Sequence, residues 1–213
     1  MNRADPAEPL ARGLAAMRLD LPGERREKLL AYLTLLYKWN RTYRLTALKE
    51  HDQAVSGHLL DSLSILPFIP GGPLLDVGSG GGMPGIPLAI ARPDLPVILL
   101  DGNSKKAAFL RQAAIELGLA NVSVHGGRVE QYHPGFGFAA ITSRAFAELA
   151  DFVALSRHLL AEDGVWLAMK GVWPRGEIAR LAGAARVEAV HSLDVPGVGA
   201  ERHLVVMRRV MAA

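Results

Sequence analysis

Cysteine is absent from this chain of 213 residues. That removes disulfides, thiolate metal sites and any route through a cysteine nucleophile, and no metal site is expected. Long apolar runs are missing too. Nothing approaches the roughly 18 uninterrupted apolar residues of a membrane-spanning helix, so no membrane contact is expected. The opening residues, Met1-Asn2-Arg3-Ala4-Asp5-Pro6, lack the apolar centre of a secretory signal, which makes the cytoplasm the expected location. Aromatic residues are sparse at 6%, while 50% hydrophobic and 21% charged residues describe an ordinary globular protein. The length suits one compact unit with a possible appendage. A net charge of +3 is compatible with an anionic partner and demands none.

What the chain does have is a concentration of glycine. Leu74-Leu75-Asp76-Val77 reads as a short buried strand, Gly78-Ser79-Gly80-Gly81-Gly82 as a turn, and Pro84 to Ala91 as a helix. Pro84 suits a first helical turn, where a missing N–H loses no partner. Strand, glycine turn and helix form a nucleotide-type binding corner. Two frames fit it. Gly80-x-Gly82-x-x-Gly85 satisfies the dinucleotide fingerprint of an NAD-dependent oxidoreductase. It begins three residues after the strand, however, and Pro84 removes an N–H that a pyrophosphate would use. Asp76-Val77-Gly78-Ser79-Gly80 is an acidic-x-Gly-x-Gly frame, similar to the first motif of Rossmann-like methyltransferases that use S-adenosylmethionine (SAM). There the acid lies beside the methionine end of the ligand. A second anchor is Val97-Ile98-Leu99-Leu100-Asp101, an apolar run closed by an acid 25 residues after Asp76. Asp101 is placed to accept from ribose hydroxyls of either nucleoside, or to cap a helix beginning at Ser104.

Residues 1–10 are polar, rich in Pro and Ala, and expected to lack order. Amphipathic helices are predicted from Glu24 to Trp39 and from Gln53 to Leu66. Between them, Lys38 to Lys49 interleaves bases with Trp39 and Tyr43, a mix that grips nucleic acid or merely snorkels at a helix end. Pro67, Pro70, Gly71, Gly72 and Pro73 then interrupt the chain. The organisation expected is an N-terminal tail and helical cap over 1–70 and an α/β core over 71–213. Further strands are predicted at 122–124, 139–144 and 164–171, helices at 104–117 and 149–160, and a closing strand pair at 187–191 and 203–207. This alternation predicts an α/β, Rossmann-like fold, a mostly parallel sheet with helices on both faces.

Ligands of such sheets bind beyond the carboxyl ends of the strands. Asp76, Asp101, Arg128, Arg144 and Lys170 all fall at that edge. The acids are placed to face a cofactor and the bases to receive an anionic substrate, for which nucleic acid is the best fit. Among methyl acceptors, exocyclic amines are commonly served by an Asp/Asn-Pro-Pro-aromatic tetrapeptide, whereas the fourth strand ends Thr142-Ser143-Arg144-Ala145. Carbon 5 of a pyrimidine requires the missing thiol. Guanine N7 exposes a lone pair, carries no proton and needs no general base, so elimination admits it without selecting it. No catalytic residue is assigned.

Leu75-Asp76-Val77-Gly78-x-Gly80-x-Gly82-x-Pro84-Gly85-Ile86-Pro87, Ser143-Arg144-Ala145, Met169-Lys170-Gly171 and Glu201-Arg202-His203-Leu204-Val205-Val206 together resemble the bacterial 16S rRNA guanine-N7 methyltransferase family (RsmG, also called GidB). Lys38-Trp39-Asn40, Leu45-Thr46-Ala47 and His58-Leu59-Leu60-Asp61-Ser62-Leu63 extend the resemblance over nearly the whole chain beyond residue 25. It implies a SAM-dependent enzyme, releasing S-adenosylhomocysteine, that acts on 16S rRNA near the decoding region of the small ribosomal subunit; separately, a monomer is expected. Carried over by motif, Gly78, Met83, Val129, Glu130 and Arg144 would bind the cofactor. Gly80 is added from the glycine frame and Asp101 from the ribose argument. Arg128, Lys170 and Arg202 match basic positions expected near the RNA. Arg44 departs from the Asn that the family usually has before Leu-Thr. A SAM-binding RNA chaperone without catalysis stays open beside the enzyme and the oxidoreductase.

Overall fold

A computed structural model describes residues 5–46, 51–181 and 183–210. One sheet holds β1 Leu74–Val77, β2 Val97–Asp101, β3 Val122–Gly126, β4 Phe138–Arg144, β5 Leu160–Lys170, β6 Arg186–Ser192 and β7 His203–Arg208. Their order is β3-β2-β1-β4-β5-β7-β6. The first five strands pair in parallel, and β7 inserts antiparallel between β5 and β6. β1 and β2 are buried at every position, as central parallel strands covered on both faces must be. The strand order reverses between β1 and β4, which puts the topological switch point at the glycine corner.

Helices α5 Gly85–Ala91, α6 Ser104–Glu116, α7 Leu149–Ser156 and α8 Arg175–Arg180 flank the sheet. The cap consists of α1 Ala7–Ala16, α2 Gly23–Tyr43 and a continuous helical segment made of α3 His51–Ala54, a π turn Val55–Leu60 and α4 Asp61–Leu63. Of residues 1–10, expected to lack order, 1–4 lie outside the described residues, and for 7–10 the expectation is corrected. Ala7–Ala16 is a helix that buries Leu10, Gly13 and Leu14, because alanine favours the helix and the two leucines share its inner face. Helix α2 runs past Trp39 to Tyr43 and ends on Arg44 in the left-handed region (φ 51). Asn is the common non-glycine residue there, which gives the family's usual Asn a backbone reason. Of the basic–aromatic segment, Ala47, Leu48 and Lys49 lie outside the described residues.

Strand alternation sorts the side chains by face. Leu74, Leu99, Leu167, Met169 and Leu204 share an apolar cluster with Leu29, Tyr32 and Leu36 of the cap. Leu75, Leu100, Trp166, Ala168 and Val205 form another with Phe152 and Val153 of α7. Counting on by twos to the carboxyl edge puts Asp76 and Arg144 on the cap face, and Lys170 on the α7–α8 face. The same count along β7 separates Arg202, on the cap face, from His203. This parity decides which bases meet which acids.

Candidate active site

At the end of β1, the N–H groups of Gly78 and Ser79 donate to the Leu100 carbonyl (2.8 and 3.1 Å). Ser79 Oγ donates to the Asp76 carbonyl (2.9 Å) and accepts from the Leu100 N–H (3.1 Å). The Gly80 N–H donates to Asp101 Oδ2, and the Asn103 N–H to Asp101 Oδ1, each at 2.8 Å. Gly80 has φ +58, and a Cβ built on it would meet nothing nearer than the Gly78 carbonyl at 3.8 Å. It therefore offers an open backbone face that a ligand can approach closely. Gly85 is required for another reason. A Cβ there would lie 2.2 Å from Leu99 and 2.7 Å from Asp76 Oδ2, so α5 reaches the sheet only without one. From the cap, fully buried Tyr32 donates its hydroxyl to the Gly81 carbonyl at 2.5 Å. Burial raises that phenol's pKa, which keeps the donor proton in place.

Asp76, expected beside the methionine end of the ligand, is turned toward the start of α5. It is fully buried beneath the corner, and its Oδ2 accepts from the Gly85 N–H at 3.0 Å. Its Oδ1 has no hydrogen-bond partner among the described residues. Burial pushes its pKa up to about 7, opposed by the Gly85 N–H and by Arg144. The bond to Gly85 also bears on the dinucleotide frame, since the first N–H of α5 is already engaged and Pro84 has none. A pyrophosphate finds few donors there.

The cap supplies what strand order alone does not. Asp61, at the start of α4, is buried, and each of its oxygens accepts from a different arginine. Arg144 Nη1 lies 2.8 Å from Oδ2, and Arg202 Nε lies 2.8 Å from Oδ1. Arg144 also donates to the Gly57 carbonyl (3.1 Å) and reaches Met83 Sδ (3.1 Å) in the glycine corner. On the other face Lys170 Nζ donates to Glu177 Oε2 (2.7 Å) and to the Ala147 carbonyl (3.0 Å). The rim of bases expected to stand free for RNA is therefore largely paired. Arg128 is exposed and forms no ion pair among the described residues, whereas the side chains of Lys170 and Arg202 keep 17% and 27% exposure. His58 is buried beside this cluster, bonded to Thr46 Oγ1 (2.9 Å) and the Gly57 carbonyl (3.1 Å). Burial, with the neighbouring Arg144, lowers its pKa to about 4, so it is neutral near pH 7.

Of the residues expected at the cofactor, Gly80 and Asp101 are bonded directly, Gly78 adjoins them, and Met83 meets Arg144. Buried Val129 and exposed Glu130 lie on a 3-10 turn after β3. That turn is tied to the same strand end by the Gly127 N–H, which donates to the Asp101 carbonyl at 3.1 Å. Asp101 does not cap α6, because Asn103 accepts from the Lys105 and Lys106 N–H groups instead. Sequence reasoning gave no role to Asp61, Glu177 or Tyr32. The one local signal for Asp61 is an acid set inside the apolar run Leu59-Leu60-Asp61-Ser62-Leu63. A cavity of ≈ 780 Å³ opens between the cap and the ends of β4, β5 and β7, lined by Asp61, Arg144, Lys170, Glu177, Arg202 and His203 among others. Through Arg144 it adjoins the glycine corner.

A family model described as GidB, rRNA small subunit methyltransferase G, matches residues 25–205. A protein named ribosomal RNA small subunit methyltransferase G from Neisseria gonorrhoeae is 56% identical over 203 residues, covering 95% of this chain and 98% of that protein. One of the same name from Chromobacterium violaceum is 58% identical over 199 residues, covering 93% and 95%. Among solved structures, the glycopeptide N-methyltransferase MtfA complexed with SAM aligns with a TM-score of 0.63 at 12% identity, covering 72% of this chain and 88% of that one. A SAM-dependent methyltransferase from Aquifex aeolicus aligns at 0.59 and 17% identity, covering 81% and 97%. These likenesses show the Rossmann-like methyltransferase fold.

Proposed function

The chain belongs to the GidB family of rRNA small subunit methyltransferases G, and from that premise we propose that it methylates N7 of a guanine in 16S rRNA near the decoding region of the small subunit. The observation that supports this best is the open face at Gly80, bonded to Asp101, in a glycine corner that Arg144 links to a large cavity of mixed charge. SAM, when bound, supplies an electrophilic methyl group and leaves as S-adenosylhomocysteine. The residues present fit that ligand. Gly80 lets the backbone pass close to it, and Gly78, with the Phe146 ring against its face, makes the turn that precedes Gly80. Asp101 keeps lone pairs beyond its two backbone bonds with which to accept a ribose hydroxyl. Met83, the Val129–Glu130 turn and Arg144 complete the set.

Methyl transfer is an in-line displacement, so the protein's task is alignment. Guanine N7 has no proton to lose. The site matches such an acceptor: His58 is neutral and bonded at both ring nitrogens, and Asp61 is held between two guanidiniums. Neither is poised to take a proton. Exposed Arg128, with the remaining exposed surface of Arg202, favours the phosphate backbone of the RNA. We take the acting species to be a cytoplasmic monomer. The described residues contain no helix long and apolar enough to cross a membrane. The test is transfer of label from methyl-labelled SAM to small subunits purified from cells lacking the modification, followed by mass-spectrometric mapping. One labelled 7-methylguanosine is expected; no transfer to any form of the rRNA overturns the reading.

A further inference from the structure

The two walls of the cavity differ chemically. On the cap wall both Asp61 oxygens are taken by Arg144 and Arg202, so that wall presents guanidinium donors. On the opposite wall Glu177 Oε2 accepts from Lys170 Nζ (2.7 Å) and from the Leu149 N–H (2.9 Å). Nothing among the described residues bonds to Glu177 Oε1. Lys170 uses two of its three N–H groups, on Ala147 and Glu177. A donor with a proton to spare thus stands next to an acceptor with a free oxygen. The six-membered edge of guanine is the complement, O6 accepting beside N1–H donating. Adenine presents the reverse order at the same two positions, an amino donor beside an accepting N1.

Two further features suit a base. The volume of ≈ 780 Å³ falls within the roughly 300–1,000 Å³ typical of small-ligand pockets. Exposed apolar groups stand on or beside its lining: Val172, which lines it and is 72% exposed, Trp173 next to it, 45% exposed, and Phe146, 36% exposed, next to the lining residue Ala145. Trp173 stands edge-on to the cavity residue His203, with ring centroids 5.3 Å apart. Enzymes that react at a base turn it out of its stack, hold it against such rings and read its Watson–Crick edge.

We propose that this cavity receives the acceptor guanine, turned out of the RNA, and that the Lys170–Glu177 pair reads its O6 and N1–H edge. Glu177 is then a specificity-determining residue, and Lys170 contacts a base where a phosphate contact was expected. Reading that edge leaves N7 uncovered, as a nucleophile must be. The inference rests on the guanine-N7 activity proposed above.

The test uses the full chain, SAM and unmodified small subunits, some carrying adenine at the target position. Glu177→Gln exchanges a free acceptor for an amide donor that opposes N1–H. Its kcat/KM for the guanine subunit should fall at least tenfold, with the SAM dissociation constant by calorimetry unchanged within twofold. Its preference for guanine over adenine should narrow, which a merely structural role would not produce. Gly171→Phe adds bulk at a residue that lines the cavity, where a Cβ meets nothing within 4 Å beyond its chain neighbours, and it leaves the side chains of Lys170 and Glu177 in place. The same tenfold loss with intact SAM binding is expected. Either variant keeping the wild-type kcat/KM within twofold overturns the pocket alone. A wild-type chain that transfers no methyl group overturns the activity and the pocket with it.

Discussion

Replacing Asp61 by asparagine keeps the shape of the side chain and removes the charge that two guanidiniums share. The carboxylate side chain is 3% exposed, against 22% for Arg144 and 27% for Arg202, and both contacts are 2.8 Å. Hydrogen bonds to a charged group contribute about 1.5–3 kcal/mol each. Removing one member of a buried ion pair costs about 3–5 kcal/mol, because the other charge stays uncompensated. Both arginines keep part of their surface in water, so screening holds the expected loss near the lower end, about 3 kcal/mol. With an unchanged urea m-value of about 2–3 kcal/mol/M, the unfolding midpoint should fall by roughly 1–1.5 M. A double-mutant cycle with Arg202→Ala isolates the pair, and a coupling of at least about 1 kcal/mol is expected. Function should follow, since Arg144 loses the anchor that sets it against Met83. A midpoint change equivalent to less than about 1 kcal/mol, with the two substitutions additive, would refute the shared-carboxylate reasoning.

Tyr32→Phe leaves the buried Gly81 carbonyl without its donor and should destabilise the fold by about 1–3 kcal/mol, read by urea unfolding; an unchanged midpoint contradicts the lock. The lowered pKa of His58 (about 4, from 6.5) means that the unfolded chain binds more protons between those values. Its stabilising share is complete above pH 6.5 and falls away toward pH 4, by about 3 kcal/mol in all, and His58→Gln should flatten that slope in acid-unfolding curves. Asp76 works in the opposite sense. Its raised pKa (about 7, from 3.8) makes the folded chain the stronger proton binder, so raising the pH through that window removes stability, and Asp76→Asn should abolish the loss. Unfolding curves of the two variants that parallel the wild type at every pH would count against both assignments. Arg128→Ala should weaken RNA binding and reduce its salt slope by about one ion, with SAM affinity unchanged; an unaltered slope removes Arg128 from the interface.

Much of the architecture was written locally. Buried parallel strands read as unbroken apolar runs, so β1 and β2 fall on the residues expected, and β3 to β7 on the expected segments with ends shifted by one to four residues. The glycine corner was legible for the same local reason. What escaped was set by distant partners or weak composition. Helix α1 hid in an alanine-rich tail, and the short α8 has no period long enough to read. Bases at strand ends looked free because their acids lie far away in sequence. Asp61 is 83 residues from Arg144 and 141 from Arg202, and no window of sequence shows that meeting. The bond from Asp76 to α5 was not legible, because an acid ending a strand looks the same whether or not a helix start sits on it.

The position of β7 has a consequence for when this protein can work. Of the described strands, β7 leaves the ribosome after the other six, and it is threaded into the sheet between two that were made before it, with Arg202 arriving just ahead of it. During translation β5 waits with a bare edge and Asp61 with a single partner, so the binding surface is finished only once residues 202–208 have emerged. A nascent chain stalled with residue 200 at the exit should therefore be inert toward any rRNA. Methyl transfer by such a stalled complex would show that completion of the sheet is dispensable.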